Sequence, residues 1–292
     1  MALDVLLSRL MGRGTADPGQ RGLHVIVFSK DRACQLDSLL RSIRDHFRLP
    51  RRSLTVLHRA SGDEYAAAYR KLVDRHILPG IRWAPESSFS EDLRSIIGDL
   101  PERDRVMFLV DDDVVVREFG DERLLERFTS RHLFVSLRCS RRYPVAALPR
   151  FISSEPFLEW RWRYGRRKRL VWNYPFSLDG NVHHVAHIKR ILRHIAFQAP
   201  NSLEGRMHAY RHAWWVKRIP LALAPAEAVV VNNPLNRVQT EGETWHRDID
   251  PAELNRAYLD GKHIDNAALY AAVPTAVHSA LPLQLVERSP AM

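Results

Sequence analysis

Three adjacent carboxylates, Asp111, Asp112 and Asp113, interrupt the apolar stretch "RVMFLVDDDVVVRE" that runs from Arg105 to Glu118. Val106 to Val110 and Val114 to Val116 have the β-branched richness and brevity of buried strand, so the acids fall where a core strand ends or bends. Ionised neighbours repel one another, and partial burial raises that cost unless a cation or a set of donors offsets it. A solvated turn would ordinarily bring Gly, Asn or Pro, whereas the neighbours here are valines. A hard divalent cation held through oxygen accounts for the pattern better. Continuous alternation along a strand would put Asp111 and Asp113 on one side and Asp112 on the other.

Other residues could share this chemistry. The loop "SKDR", Ser29 to Arg32, follows an earlier apolar run, and its Lys30, Asp31 and Arg32 could face the same crevice; helix capping by Asp31 is the plainer alternative. Glu204 in "PNSLEGRM" and Asp179 in "SLDGN" are carboxylates available as a general base. Asn201 three residues before Glu204 also makes a capping-box pattern, and Asp before Gly a turn. Arg237, in "NNPLNRVQ", has the guanidinium fork suited to phosphate. His183 and His187 are four residues apart, a helical spacing that can bind a transition metal. No Glu or Cys completes that site, and solvated or capping histidines explain the cluster more simply; one of them, or His246, could add a third ligand to a metal held by the aspartates.

The elements that must position these groups are legible. "LHVIVF" reads as a buried strand, followed by a helix with Leu36, Leu39, Leu40, Ile43 and Phe47 at helical spacing. "SLTVLHRA" reads as a second strand, with Ser61 and Glu64 as a capping box opening the next helix. "IRWAP" reads as a third, with Ser88 and Glu91 opening a helix that buries Leu93, Ile96, Ile97 and Leu100, and "VMFLV" as a fourth. Strands alternating with amphipathic helices predict an α/β fold with a mostly parallel central sheet, helices on both faces and ligands at the carboxyl ends of the strands. Beyond Phe134 the alternation breaks into an aromatic, basic region with the strand "FVSLR" and a helix near "VAHIKRILRHIAF". The expected organisation is an N-terminal helix or tail over 1–20, a ligand-binding half over 21–140, an acceptor-side half of the same domain over 141–245, and a polar tail over 246–292.

The 292 residues can bury one sizeable core. A net charge of +10 favours polyanionic partners, and the densest basic stretch, "RWRYGRRKRLVW" from Arg161 to Trp172, interleaves aromatics with cations. Two cysteines, Cys34 and Cys139, outside any CxxC pair argue against a disulfide framework and fit a reducing cytoplasm. The opening lacks the marks of a signal peptide, and no segment reads as a membrane span, so a cytoplasmic protein is expected, with scope for peripheral contact at the inner face of an anionic membrane. The fingerprints GxGxxG, GxxxxGK[ST] and HExxH are absent.

The runs "HVIVFSKDRACQLDSLLRSI", "VMFLVDDDVVV", "PFSLDGNVHH" and "PNSLEGRM", in that order between Leu23 and Gln239, resemble the nucleotide-sugar glycosyltransferases of the GT-A fold, most nearly the family 2 type. The resemblance implies transfer of a sugar from a nucleoside-diphosphate donor to a hydroxyl acceptor, such as a polysaccharide or glycolipid precursor, with Mn²⁺ or Mg²⁺ bridging the diphosphate. Carried onto matching positions, it puts Ser29, Lys30, Asp31 and Arg32 at the nucleotide, Asp111 or Asp112 at the ribose, Asp113 on the metal with Asp111 and His246 as further ligands, and Arg237 on phosphate. Glu204 or Asp179 would be the base; the family's usual Glu-Asp base motif is missing, which leaves inversion or retention open.

Two rivals stand beside this reading. "FLVDDDVVV" also matches the haloacid dehalogenase type of phosphatase, with Asp111 as nucleophile and Asp113 as acid and base, but that family carries the motif on its first strand. A basic nucleic-acid-binding protein would suit the charge, while buried acids would repel its phosphates.

Overall fold

The computed structural model describes residues 21–48, 52–144, 148–163, 171–235, 249–272 and 276–287. The expected N-terminal helix over 1–20, Arg237, His246 and most of the basic run between Arg161 and Trp172 lie outside the described residues.

The chain forms β1 (Leu23–Lys30), α1 (Ala33–His46), β2 (Arg52–Arg59), α2 (Asp63–Val73), β3 (Ile81–Pro85), α3 (Phe89–Gly98) and β4 (Arg105–Val110), the three strand and helix repeats read from the sequence. Then follow β5 (Asp113–Val115), α4 (Glu122–Arg127), β6 (His132–Ser136), β7 (Phe151–Ser153), β8 (Leu158–Arg161), β9 (Asn181–His184), α5 (Val185–Leu192), α6 (Pro200–Ala209), α7 (Trp214–Lys217), β10 (Leu221–Ala224) and β11 (Val230–Asn232). The C-terminal part adds α8 (Pro251–Leu259), β12 (Lys262–Ile264), α9 (Asn266–Ala271) and β13 (Leu285–Glu287).

One nine-stranded sheet has the order β3-β2-β1-β4-β9-β6-β10-β8-β7. β1 to β4 are mutually parallel, and β6 and β10 are parallel to each other; β9 and β8 run antiparallel to their neighbours. The strands are buried on both sides because alternate residues feed two cores. Val25, Val27, Met107 and Leu109 pack with α1 and α2, whereas Ile26, Phe28, Val106 and Phe108 pack with α3, α5 and α6.

The C-terminal residues are no solvated tail. Arg41 of α1 donates to Asp37 (2.8 Å) and to the Ile264 carbonyl (2.7 Å), and Asn266 exchanges hydrogen bonds with Ser38. These bonds satisfy a polar face of α1 that would otherwise be costly to bury. Among the described residues no helix is long and apolar enough to cross a membrane.

Three helix starts differ from the capping boxes expected. α2 begins after Gly62, because the Ser61 hydroxyl and amide both turn to Asp31. α3 has Ser88 as its cap residue without a side-chain cap; Asp92 instead accepts from the Ser87 and Ser88 amides. At α6 the cap position is Ala199, and Ser202, not Glu204, accepts from the Ala199 amide (3.0 Å). Glu204 is therefore free of any capping duty.

Candidate functional site

β1 ends in a reversal at Asp31, whose φ of 57° lies in the left-handed region that Asp tolerates better than most residues. The Asp31 carboxylate accepts from the Ser61 amide (2.7 Å) and hydroxyl (2.8 Å), so it clamps the loop after β1 to the loop after β2. It caps no helix, contrary to the plainer of the two sequence expectations for it. Ser29 pairs through its hydroxyl with Tyr69 (2.7 Å), and Arg32 is buried against the aspartates at the end of β4. A cavity of about 560 Å³ opens beside this loop, lined among others by His58, Arg59, Tyr69 and Glu86, with an ion pair of 3.4 Å between Arg59 and Glu86 at its edge.

β4 stops at Val110, and the chain turns at Asp111 and Asp112 before β5 enters a separate two-stranded ribbon with β11. The turn cancels the alternation expected through the three acids. Asp111 accepts from Arg32 Nη1 (3.0 Å) and the Lys30 amide (3.2 Å). Asp113 turns the other way, accepting from the Val110 amide (2.9 Å) and Asn232 Nδ2 (3.1 Å). Asp112 lies between them, accepting from Arg32 (3.3 Å) and from the same Asn232 nitrogen (3.0 Å). Asp112 and Asp113 are thus the pair that converges, rather than Asp111 and Asp113.

Charge at this turn is finely opposed. Burial pushes Asp111 upward against the pull of Arg32, and raises Asp112 to about 6 with help from Asp111 and Asp179. Burial, Asp179 and Asp112 hold Asp113 well above the usual carboxylate range. Burial works against the Arg32 charge, but Asp111 and Asp112 reverse that and raise it.

Asn232 and His278 carried no signal in the sequence. The β5–β11 register sets Asn232 opposite Asp113, and the C-terminal strand segment bridges to Asn232 at His278. His278 Nδ1 lies 3.1 Å from Asn232 Oδ1, and burial lowers its pKa, opposed by Asp179 and reinforced by Arg138. Nothing local in "VVVNNP" or "TAVHSA" marks either residue; only long-range pairing does.

The second group of carboxylates stands at the entrance to β9. Gly180 has φ 85°, and a Cβ there would meet Val230 at 3.0 Å, so this turn needs glycine both for conformation and for space. The turn aims Asp179 at Arg138, whose Nη1 donates to it at 2.9 Å and also contacts the Ser177 hydroxyl. Glu204, from α6, accepts from the Leu178 amide (3.2 Å). Burial and then Asp179 push Glu204 up to about 7, against the opposing pull of Arg138.

The histidine cluster is neither solvated nor a metal site. His183 lies on β9 and His187 on α5, so no helical turn joins them. His183 packs between Phe108 and Phe176, His184 stacks on Phe128 at 4.0 Å, and His187 meets Trp215. Burial lowers His183 to about 3 and the other two to about 4, which keeps all three neutral. β9 pairs His183 with Val106, five residues before Asp111 on β4, which at about 3.3 Å per residue is remote from the aspartate turn.

Among the described residues no group of three His, Cys, Asp or Glu forms a closed metal site. The oxygen donors of Asp112 and Asp113 nevertheless fit a hard divalent ion that takes its other ligands from phosphate and water. Their mutual repulsion, reinforced by Asp179, is the kind of charge such an ion relieves.

No protein-family model matches the chain. A curated relative, the bifunctional glycosyltransferase pgtA of Dictyostelium discoideum, is 22% identical over 202 residues, which are 60% of this chain and 26% of that protein. Among solved structures, the mannosyltransferase PcManGT from Pyrobaculum calidifontis, in complex with GDP-Man and Mn²⁺, gives a TM-score of 0.44 at 14% identity, covering 82% of this chain and 64% of its own. S. aureus TarS in complex with UDP-GlcNAc gives 0.44 at 16% identity, covering 82% of this chain and 70% of its own. The chain therefore spans 26% of the curated relative's length. What the site can do follows from its own geometry.

Proposed function

We propose that the chain is a glycosyltransferase that moves a sugar from a nucleoside-diphosphate donor to a hydroxyl acceptor. The observation that carries this reading is the meeting of two carboxylate groups at one end of the sheet. Asp112 and Asp113 lie at the end of β4, Asp179 and Glu204 lie beside β9, and Asp179 is close enough to raise both aspartates of the turn. The curated relative's name agrees with it.

In this reading the donor's nucleoside enters the cavity lined by His58, Arg59 and Tyr69, and the aspartate turn faces the ribose and diphosphate. Asp112 and Asp113 would hold Mn²⁺ or Mg²⁺; His246, the further ligand expected from the sequence, lies outside the described residues. Such an ion, when bound, offsets the negative charge that grows on the diphosphate as the sugar bond breaks. Arg237 remains a candidate phosphate contact.

Glu204 is the favoured base. Asp179 is already matched in charge by Arg138 at 2.9 Å, whereas Glu204 is poised at about 7, where a carboxylate can accept a proton at physiological pH. The acceptor oxygen forms its bond to the sugar carbon, its proton passes to Glu204, and the electron pair of the broken bond leaves with the diphosphate. Arg138 and Ser177 keep Asp179 fixed, so Asp179 is free to accept a hydrogen bond from a sugar hydroxyl while Glu204 takes the proton. The acceptor would be a glycan or glycolipid, and the basic half of the chain would meet an anionic acceptor or membrane surface.

A thermal-shift series tests this reading, with nucleoside diphosphates and their sugars, each with and without Mn²⁺. A bound donor stabilises the native state by mass action, so one nucleotide series should raise the unfolding midpoint, and more so with metal. Asp113→Ala should remove the metal-dependent part. No shift with any nucleotide, or metal-dependent turnover retained in Asp113→Ala, would overturn it.

A further inference from the structure

The excess positive charge of this protein belongs to one part of the chain. From Arg161 to Ala226 the sequence has thirteen Lys and Arg against two acids, Asp179 and Glu204, both committed to the site described above. The rest of the chain has 31 Lys and Arg against 32 acids and is close to neutral. The excess of basic over acidic side chains therefore lies in this part.

At its surface stands Trp214, 67% exposed, at the start of the four-residue helix α7. An exposed indole is unfavourable in water, and here its position is enforced. Val216 in the same helix is fully buried in the core beneath α5 and α6, and Arg163 donates to the Lys217 carbonyl (3.2 Å), so α7 is tied down on both sides. Trp215 is capped by Arg190 at 4.8 Å. The Trp214 ring has Arg218 over one face at 4.0 Å.

We propose that α7 docks this protein on an anionic lipid bilayer, with Trp214 entering the headgroup layer and Lys217, Arg218, Arg190 and Arg163 meeting lipid phosphates. An indole with cations around it is suited to that layer, where its apolar body is shielded and its N–H stays wet. A nucleic acid would use the indole as a stacking platform, and Arg218 already occupies one of its faces. The inference extends the proposed contact with an anionic surface. Its test does not involve glycosyl transfer, so either can fail without the other.

The test is co-sedimentation of the full chain with phosphatidylcholine vesicles, plain or doped with phosphatidylglycerol, at physiological salt. The protein should partition onto the doped vesicles and not the plain ones. Lys217→Ala with Arg218→Ala should lower the partition coefficient about twenty-five-fold, at about fivefold per charge near an anionic surface. Trp214→Ala should lower it about tenfold, for the apolar area the indole buries in the headgroup layer, while the unfolding midpoint stays where it was. Absence of binding to doped vesicles, or unchanged partitioning of Trp214→Ala, would overturn the proposal. So would displacement of the protein from vesicles by duplex RNA at equal phosphate concentration.

Discussion

Glu204→Gln is the sharpest perturbation of the proposed chemistry, because it preserves shape and removes one titration. The Leu178 amide that donates to Glu204 at 3.2 Å can donate to the glutamine carbonyl instead. General-base assistance is worth about 10²- to 10⁴-fold, so transfer should fall by that factor while donor affinity stays within about twofold. Wild-type transfer should rise with pH through about 7, since the base must be deprotonated, and the variant should lose that limb. Stability supplies an independent reading. The folded value of about 7 lies above the unperturbed 4.5, so the contribution of neutral Glu204 is complete below about 4.5 and is lost as pH rises through 7. That loss is about 3 kcal/mol at most. The variant should therefore be more stable than wild type at pH above 7 and nearly equal to it in mild acid. Thermal unfolding and pH-resolved kcat/KM on the two proteins check both halves. A flat wild-type profile, or a variant destabilised equally at every pH, would refute the assignment and make Glu204 a packing residue.

Three further outcomes are expected. Arg32→Met strands Asp111 and Asp112 without their cation and should cost about 3–5 kcal/mol in urea unfolding, less in acid where the carboxyls protonate; a loss independent of pH would contradict the ion-pair account. Asn232→Ala releases both Asp112 and Asp113 from their shared donor and should weaken Mn²⁺ binding in the presence of a nucleoside diphosphate about 10- to 100-fold by calorimetry, with the far-ultraviolet spectrum intact; unchanged affinity would remove Asn232 from the site. His183, His184 and His187 have folded values of about 3, 4 and 4, below the ordinary 6.5, so their stabilisation is present above 6.5 and disappears as pH falls toward 4. An unfolding midpoint that stays flat between pH 7 and 4 would show that they are not buried neutral.

The four parallel strands and the helices between them were readable because their signals are local. Leu36, Leu39, Leu40 and Ile43 repeat at the helical period, and the strands are short continuous apolar runs, whatever the rest of the chain does. The aspartate turn was also visible, since three acids among valines are unusual in composition alone, whereas Glu204 stood only as a candidate because an acid near a helix start equally suits a cap. Capping was misread at Ser61 for a physical reason: its hydroxyl found a better acceptor in Asp31, thirty residues away in sequence, than in its own helix.

Long-range contacts alone set which polar groups face each other. Asn232 reaches Asp112 and Asp113 across 120 and 119 residues, and His278 meets Asn232 from a segment that reads as polar tail. No period or composition encodes such a meeting, because a single Asn or His has the same local preferences in a site as on a surface. The turn at Asp111 and Asp112 likewise separates Asp111 from Asp113 because β5 leaves the main sheet to pair with β11, and that pairing depends on a strand more than a hundred residues downstream. Local pattern ends a strand in three carboxylates; long-range pairing makes Asp111 balance Arg32 while Asp112 and Asp113 share Asn232.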